Sequence, residues 1–132
     1  MKLKKAPFQP KLRTIKALKG EAWKTIALYV RKRDKKCVSC ATGLADNCGH
    51  YQVNTERNQE LGGNALWYDV RNLNGQCVSC NKWRSGNLAP YAIYLEEKYG
   101  SGILQELRRL WQTPKKWTRQ EIEEIIEKYV LR

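Results

Sequence analysis

Helical periodicity in the apolar positions marks both ends of this chain and lapses in the middle. From about Leu12 a helical pattern begins, with Gly20 as a candidate break. In its stronger half Trp23, Ile26, Ala27 and Val30 fall at i, i+3, i+4 and i+7, with Lys24, Arg31 and Lys32 off that stripe. The pattern predicts a core-packing helix with a solvated basic face. Periodicity returns after residue 87. A helix over 88–99 carries Tyr91, Tyr94 or Leu95, and Lys98 in turns, with Asn87 as its N-cap and Gly100 as its stop. Residues 101–112 put Ile103, Leu104, Leu107, Leu110 and Trp111 on one face, and Pro114 ends that segment. A capping box, Thr118 to Glu121, opens a last helix, with Trp117 and Ile122 as its hydrophobic staple. Ile122, Ile125, Ile126, Tyr129 and Val130 form its apolar stripe, and its acidic side should sit away from DNA or meet protein.

The middle reads as short strands and turns. Residues 37–40 suit a tight turn and 46–53 a strand approach through His50. Residues 54–65 are polar and glycine-containing, a loop or hairpin tip. Leu66-Trp67-Tyr68-Asp69-Val70 has strand-forming residues and is expected to pair back on the His50 strand. Residues 72–76 read as a turn, and a short helix is expected from Asn81. The segments are a basic, proline-punctuated arm (1–12), expected to be mobile when free; an N-terminal helix (13–36); a central module (37–87); and C-terminal helices (88–132).

The central module holds the chemistry. Cys37-Val38-Ser39-Cys40 and Cys77-Val78-Ser79-Cys80 are two matching knuckles separated by 36 residues, the spacing of a four-cysteine zinc site. Two knuckles supply two corners each of a tetrahedron, whereas a redox pair has no use for a second copy. Cys48 is left over and reads as a packed thiol. The cysteine count of 5 is odd, which favours metal over disulfides and a reducing compartment, the cytoplasm of the cell that makes it. The N-terminus has the charge of a signal peptide but no apolar core after it.

Composition adds a partner. With 25 Lys+Arg against 13 Asp+Glu the formal charge is +12, and a domain so basic commonly meets a polyanion. No apolar run is long enough to span a membrane. A hydrophobic fraction of 42% supports a modest core that a structural metal would help to fold.

His50 is the only histidine, and a lone histidine is ordinarily just a satisfied residue of the fold. Its setting changes that reading: it lies between the knuckles, with Asn72 before Cys77 and Asn81 directly after Cys80. These residues resemble the HNH, or ββα-metal, nucleases, and the order His50, Asn72, Asn81 is similar to that of the endonuclease VII group. Further matches, Gly49-His50-Tyr51, Arg71-Asn72, Gln76-Cys77, Ser85-Gly86-Asn87, Tyr91 and Leu95 to Tyr99-Gly100, are similar to the NinG (Rap) family of phage recombination nucleases, from about Ala22 to Leu110.

The resemblance implies an α+β fold: a small zinc-stabilised ββα-metal core embedded in a mostly helical single domain. It implies hydrolysis of phosphodiesters in branched DNA such as Holliday junctions and displacement loops. His50 would be the general base, with the ~6.5 reference pKa of imidazole. Asn72 would hold the motif's loop and orient His50 through a hydrogen bond. Asn81 would offer its carbonyl oxygen to Mg2+ or Mn2+. In endonuclease VII-like enzymes a carboxylate precedes the general base; here that residue is Gly49. Asp46, Asp69 and Asn87 are the candidate ligands left, though Asp69 would equally pair with Arg71 or Lys82.

Arg57, Arg71, Lys82 and Arg84 flank the site and are the expected phosphate contacts, with some of the run Arg31, Lys32, Arg33, Lys35, Lys36. Lys2, Lys4, Lys5, Lys11 and Arg13 could follow a second DNA arm. Trp67 and Trp83 read as core residues. Two symmetric cuts from one site per chain imply a homodimer, with the helices after residue 100 available for it. A nicking enzyme without junction preference, acting as a monomer, and a non-catalytic zinc module that binds DNA are the alternatives.

Overall fold

The computed structural model describes residues 12–131. The basic arm expected over 1–12 lies outside them apart from Leu12. Helix α1 (Ile15–Asp34) leads into strand β1 (Asn47–His50), short helix α2 (Glu56–Glu60) and strand β2 (Leu73–Gln76). A one-turn π-helix (Ser79–Trp83) follows, then α3 (Leu88–Tyr99), α4 (Ile103–Trp111) and α5 (Arg119–Tyr129). The fold is mostly helical α+β with one two-stranded sheet.

Helix α1 is capped by Thr14, whose hydroxyl accepts from Ala17 N at 3.1 Å, and Arg31, Lys32 and Arg33 complement its C-terminal dipole. It runs through Gly20 unbroken. A mid-helix glycine costs only about 1 kcal/mol against alanine, and buried Leu18 and Ala22 anchor the turns on either side. Leu18, Ala22, Ile26 and Val30 pack with Tyr68, Leu73, Ile122 and Tyr129 into one core, so α5 lies along α1. The second core joins Leu66, Tyr91, Leu95, Ile103 and Leu107, with α4 folded back on α3. Ile122 and Tyr129 of α5 and Ile103 and Leu107 of α4 are therefore buried within the chain, which leaves less of these helices for a second copy than the sequence suggested.

The sheet differs from the expectation. The partner of β1 is not 66–70 but β2, paired antiparallel with Asn47 opposite Gln76, Cys48 opposite Gly75, Gly49 opposite Asn74 and His50 opposite Leu73. Residues 66–70 instead form successive turns, with Asn64 Oδ1 accepting from Leu66 N, and they place Leu66 in one core and Tyr68 in the other. Residues 72–76, whose composition reads as a turn, contain the buried strand β2. The loop at 54–65 contains α2, closed by a reciprocal capping box between Thr55 and Asn58.

Strand β2 is polar yet wholly buried, and the last turn of α1 holds it. Asp34 Oδ2 accepts from Gly75 N at 2.7 Å. Arg33, paired with Asp34, donates to Leu73 O and Asn74 Oδ1, each at 2.9 Å, and to Val70 O at 3.3 Å. Burial opposes the Arg33 charge, but the Asp34 carboxylate holds its pKa above the ordinary arginine value. Arg33 thus leaves the basic run to become part of the interior. Gly75 is required here because a Cβ would lie 2.5 Å from Ala45 Cβ and 3.0 Å from Asp34 Cβ.

Asp34→Ala is expected to destabilise the fold by about 3–5 kcal/mol, since it strands a largely buried guanidinium and the Gly75 N–H together. Urea denaturation checks this; a loss below about 1 kcal/mol would mean that the clamp contributes little.

Candidate active site and metal cluster

The knuckles converge. Cys37, Cys40, Cys77 and Cys80 place their sulfurs within 4.8 Å of one another, and they are the one group of three or more His, Cys, Asp or Glu so gathered among the described residues. A tetrahedral ion with Zn–S bonds of ~2.3 Å needs sulfur pairs ~3.8 Å apart. Cys40 and Cys77 are 3.8 Å apart. N–H groups aim at these sulfurs as they would at thiolates: Gly43 N to Cys40 Sγ and Cys80 N to Cys77 Sγ, each 3.4 Å, and Asn87 Nδ2 to Cys80 Sγ at 3.5 Å. The Gly43 and Thr42 donors bring Cys40 down to about 5, while burial pushes Cys80 up to about 12. The cluster is consistent with a structural zinc site. Cys48 stands apart against the first core, its thiol pushed up by burial to about 12.

The knuckles also position the next layer. Val38 N donates to Gly75 O at 2.9 Å, tying the first knuckle to β2. Asn81 N donates to Cys77 O at 3.0 Å, so the π-helical turn grows directly from the second. A cleft of about 590 Å³ opens beside it, lined by His50, Gln52, Asn81, Ser85, Gly86 and Trp111 among others. His50, from the end of β1, and Asn81 thus face one space.

The half-buried imidazole of His50 stacks on the Trp23 indole, ring centroids 5.1 Å apart and planes 17° from parallel. Burial lowers its pKa below the ordinary 6.5, so the ring is neutral at pH 7. Asn72 secures the chain just beyond it. Its Oδ1 accepts from Gln52 N at 2.8 Å, its Nδ2 donates to Gln52 O at 3.0 Å, and its carbonyl accepts from Tyr51 N at 3.0 Å. The carboxamide therefore holds the loop, as expected, but bonds Gln52 rather than the imidazole. Tyr91, fully buried, donates to Gly49 O at 2.7 Å and accepts from Asn74 Nδ2 at 3.0 Å. That phenol ties α3 to both strands at the residue before His50.

Other expected ligands go elsewhere. Both Asp69 oxygens are taken by Arg71, the alternative the sequence held open, and Glu106 lies 4.0 Å from the same guanidinium. Asn87 does not cap α3 with its side chain; its backbone is left-handed (φ 44°) and its amide points at Cys80. Arg57 lines a neighbouring cavity that shares Trp111 with the cleft. Lys82 and Arg84 are exposed on the turn after Asn81. Between them Trp83 is 81% exposed, so it is not a core residue; Trp67 does pack against the first core.

Sequence reasoning missed the contribution of Gln76. Its side chain is 0% exposed and packs against Gly49: a Cβ on Gly49 would stand 1.9 Å from Gln76 Oε1 and 3.1 Å from Asn81 Oδ1. A glutamine before a cysteine carries no signal of this; only the strand pairing reveals it. The stack of Trp23 on His50 was equally hidden, because the helical pattern assigned that indole to the core.

Among the described residues, no helix is long and apolar enough to cross a membrane. No solved structure matches the chain. It is 31% identical to Protein ninG of Salmonella phage P22 over 133 residues, covering 98% of this chain and 60% of that protein. It is also 31% identical to Protein ninG of Escherichia phage 933W, covering 98% and 61%, and 29% identical to that of Escherichia phage lambda, covering 98% and 60%. The chain thus spans about 60% of the length of these relatives. The profile described as Bacteriophage Lambda NinG protein matches residues 2–132, and the chain belongs to the NinG family.

Proposed function

We propose that the chain is a metal-dependent endonuclease of phage recombination that hydrolyses phosphodiesters in branched DNA through an HNH-type, ββα-metal site. The observation that carries this reading is the meeting of His50 and Asn81 in one cleft, beside a four-cysteine cluster that fixes the turn bearing Asn81. A divalent ion such as Mg2+ or Mn2+, when bound, would supply positive charge to offset the phosphorane-like transition state and the leaving oxygen.

The chain's own residues do the rest. His50, neutral and steadied by Trp23, takes the proton of a water in the cleft. Asn72 keeps residues 51 and 52 in place so that the imidazole does not drift. Asn81 presents a carbonyl oxygen suited to a hard cation. Cys37, Cys40, Cys77 and Cys80 would hold Zn2+, whose role is structural. Lys82, Trp83 and Arg84 form an exposed cation–indole–cation run beside the cleft, suited to phosphates and an unpaired base. Nothing in this arrangement spells base-specific readout, so branch shape would be the recognised feature. Resolving a junction takes two cuts, and a homodimer would supply them. Among the described residues no group of three or more His, Cys, Asp or Glu other than the four cysteines is gathered, which favours, as a second reading, a zinc module that binds DNA without cutting it.

Purified protein with Mg2+ is expected to cut a labelled four-way junction in preference to a linear duplex of the same sequence. His50→Ala is expected to lower the rate by ~100-fold or more while junction affinity stays within about twofold. Equal cutting by both proteins would remove His50 from the chemistry; binding without cutting by the natural chain would establish the second reading. For the structural metal, atomic absorption is expected to find about one zinc ion per chain. Cys77→Ser should lose it and destabilise the protein by several kcal/mol; an undiminished melting temperature would rule out a structural ion. Trp83→Ala is expected to weaken junction binding by about 1–3 kcal/mol, read by anisotropy, and leave the melting temperature unchanged. A falling melting temperature with intact binding would return Trp83 to a packing role.

A further inference from the structure

Gln76 is an unusual residue to bury without full satisfaction. Its Nε2 donates to Gly86 O at 2.6 Å and Ser39 Oγ at 2.8 Å. Because the Gly86 carbonyl can only accept, the orientation of the carboxamide is fixed, with nitrogen toward Gly86 and oxygen the other way. That oxygen is buried and has no hydrogen-bond partner among the described residues. A buried acceptor left unpaired keeps its desolvation cost uncompensated, so a fold that retains one invites a functional account.

The direction of the oxygen supplies one. Gln76 Oε1 and Asn81 Oδ1 lie 1.9 Å and 3.1 Å from the single point that a Cβ on Gly49 would occupy. Both are carbonyl oxygens of carboxamides: Asn81 lines the cleft with His50 and Gly86, and Gln76, bonded through its nitrogen to the Gly86 carbonyl, lies buried with its oxygen orphaned. Mg2+ takes oxygen ligands at ~2.0–2.1 Å and retains several waters. A side chain at position 49 would need the space that the glutamine oxygen fills, so Gly49 and Gln76 accommodate each other.

We propose that Gln76, through its side-chain oxygen, is a protein ligand of the catalytic divalent cation beside Asn81, replacing a carboxylate at position 49. This rests on the nuclease reading above. With two neutral amides in place of an acidic ligand, the ion is held weakly by the free protein and firmly once DNA phosphate joins the coordination. Ion binding and substrate binding are thereby linked.

The test measures the ion itself. In the isotope-labelled natural protein, Mg2+ titration is expected to shift the side-chain amide resonances of Gln76 and Asn81 with one midpoint. By electron paramagnetic resonance, Gln76→Ala should bind Mn2+ roughly 10-fold or more weakly, with zinc content and helical circular dichroism retained. Gly49→Asp combined with Gln76→Ala should bind Mn2+ at least as tightly as the natural protein, because the aspartate then occupies the freed space. Mg2+ shifts at Asn81 without Gln76, or a folded Gln76→Ala protein with undiminished Mn2+ affinity, would overturn the assignment and leave the nuclease reading standing. If Mg2+ moves neither amide and no metal-dependent cutting occurs, the nuclease reading falls and takes this inference with it. Should Gln76→Ala fail to fold, the titration of the natural protein alone decides.

Discussion

The structure depends on burying a strand that has little apolar reason to be buried. Of Leu73-Asn74-Gly75-Gln76, only the leucine contributes to a hydrophobic core. The others are held by directed polar contacts: Asp34 on the Gly75 amide, Arg33 on the Leu73 carbonyl and Asn74 side chain, Tyr91 on Asn74, and Gly86 and Ser39 on Gln76. The network is satisfied at each of these contacts and leaves Gln76 Oε1 without a partner among the described residues, a member that carries a desolvation penalty. The network's reward is placement. The strand stands between α1, the knuckles and α3, so every element that bears a site residue is referenced to it.

The four-cysteine cluster and the strand pair then divide the labour. The four sulfurs fix where the second knuckle ends and where the turn with Asn81 begins, and the strand pair fixes where His50 emerges. Neither alone brings the imidazole and the carboxamide together. The cores serve as abutments: one packs α5 against α1, the helix that carries Trp23, and the other packs α4 against α3, with Tyr91 among its members.

How much of this was legible varies with the kind of force involved. Helices α1, α3, α4 and α5 were readable because their apolar faces repeat at helical spacing, and the capping box of α5 stands as the sequence implies. The cysteine cluster was readable because metal geometry imposes spacing on sequence. The sheet was not. Strand-forming Leu66 to Val70 became turns, because Leu66 and Tyr68 serve opposite cores, while Asn74-Gly75 looked like a turn and is a strand. Residue propensity cannot anticipate a strand held by partners 10 to 41 positions away. The candidate site was likewise half visible: His50 and Asn81 face one cleft, Asn72 turned out to brace the loop through Gln52, and Asp69 and Asn87 were committed to Arg71 and Cys80.

Helix α2 has a consequence of a different kind. It buries none of its residues and is closed off by its own capping box, so its free energy is nearly independent of both cores. Thr55, its cap, stands on the rim of the cleft that holds His50. The cleft is therefore bounded in part by the buried strand's neighbours and in part by a short helix with no buried residue, so its rim can shift locally while His50 and Asn81 keep their places.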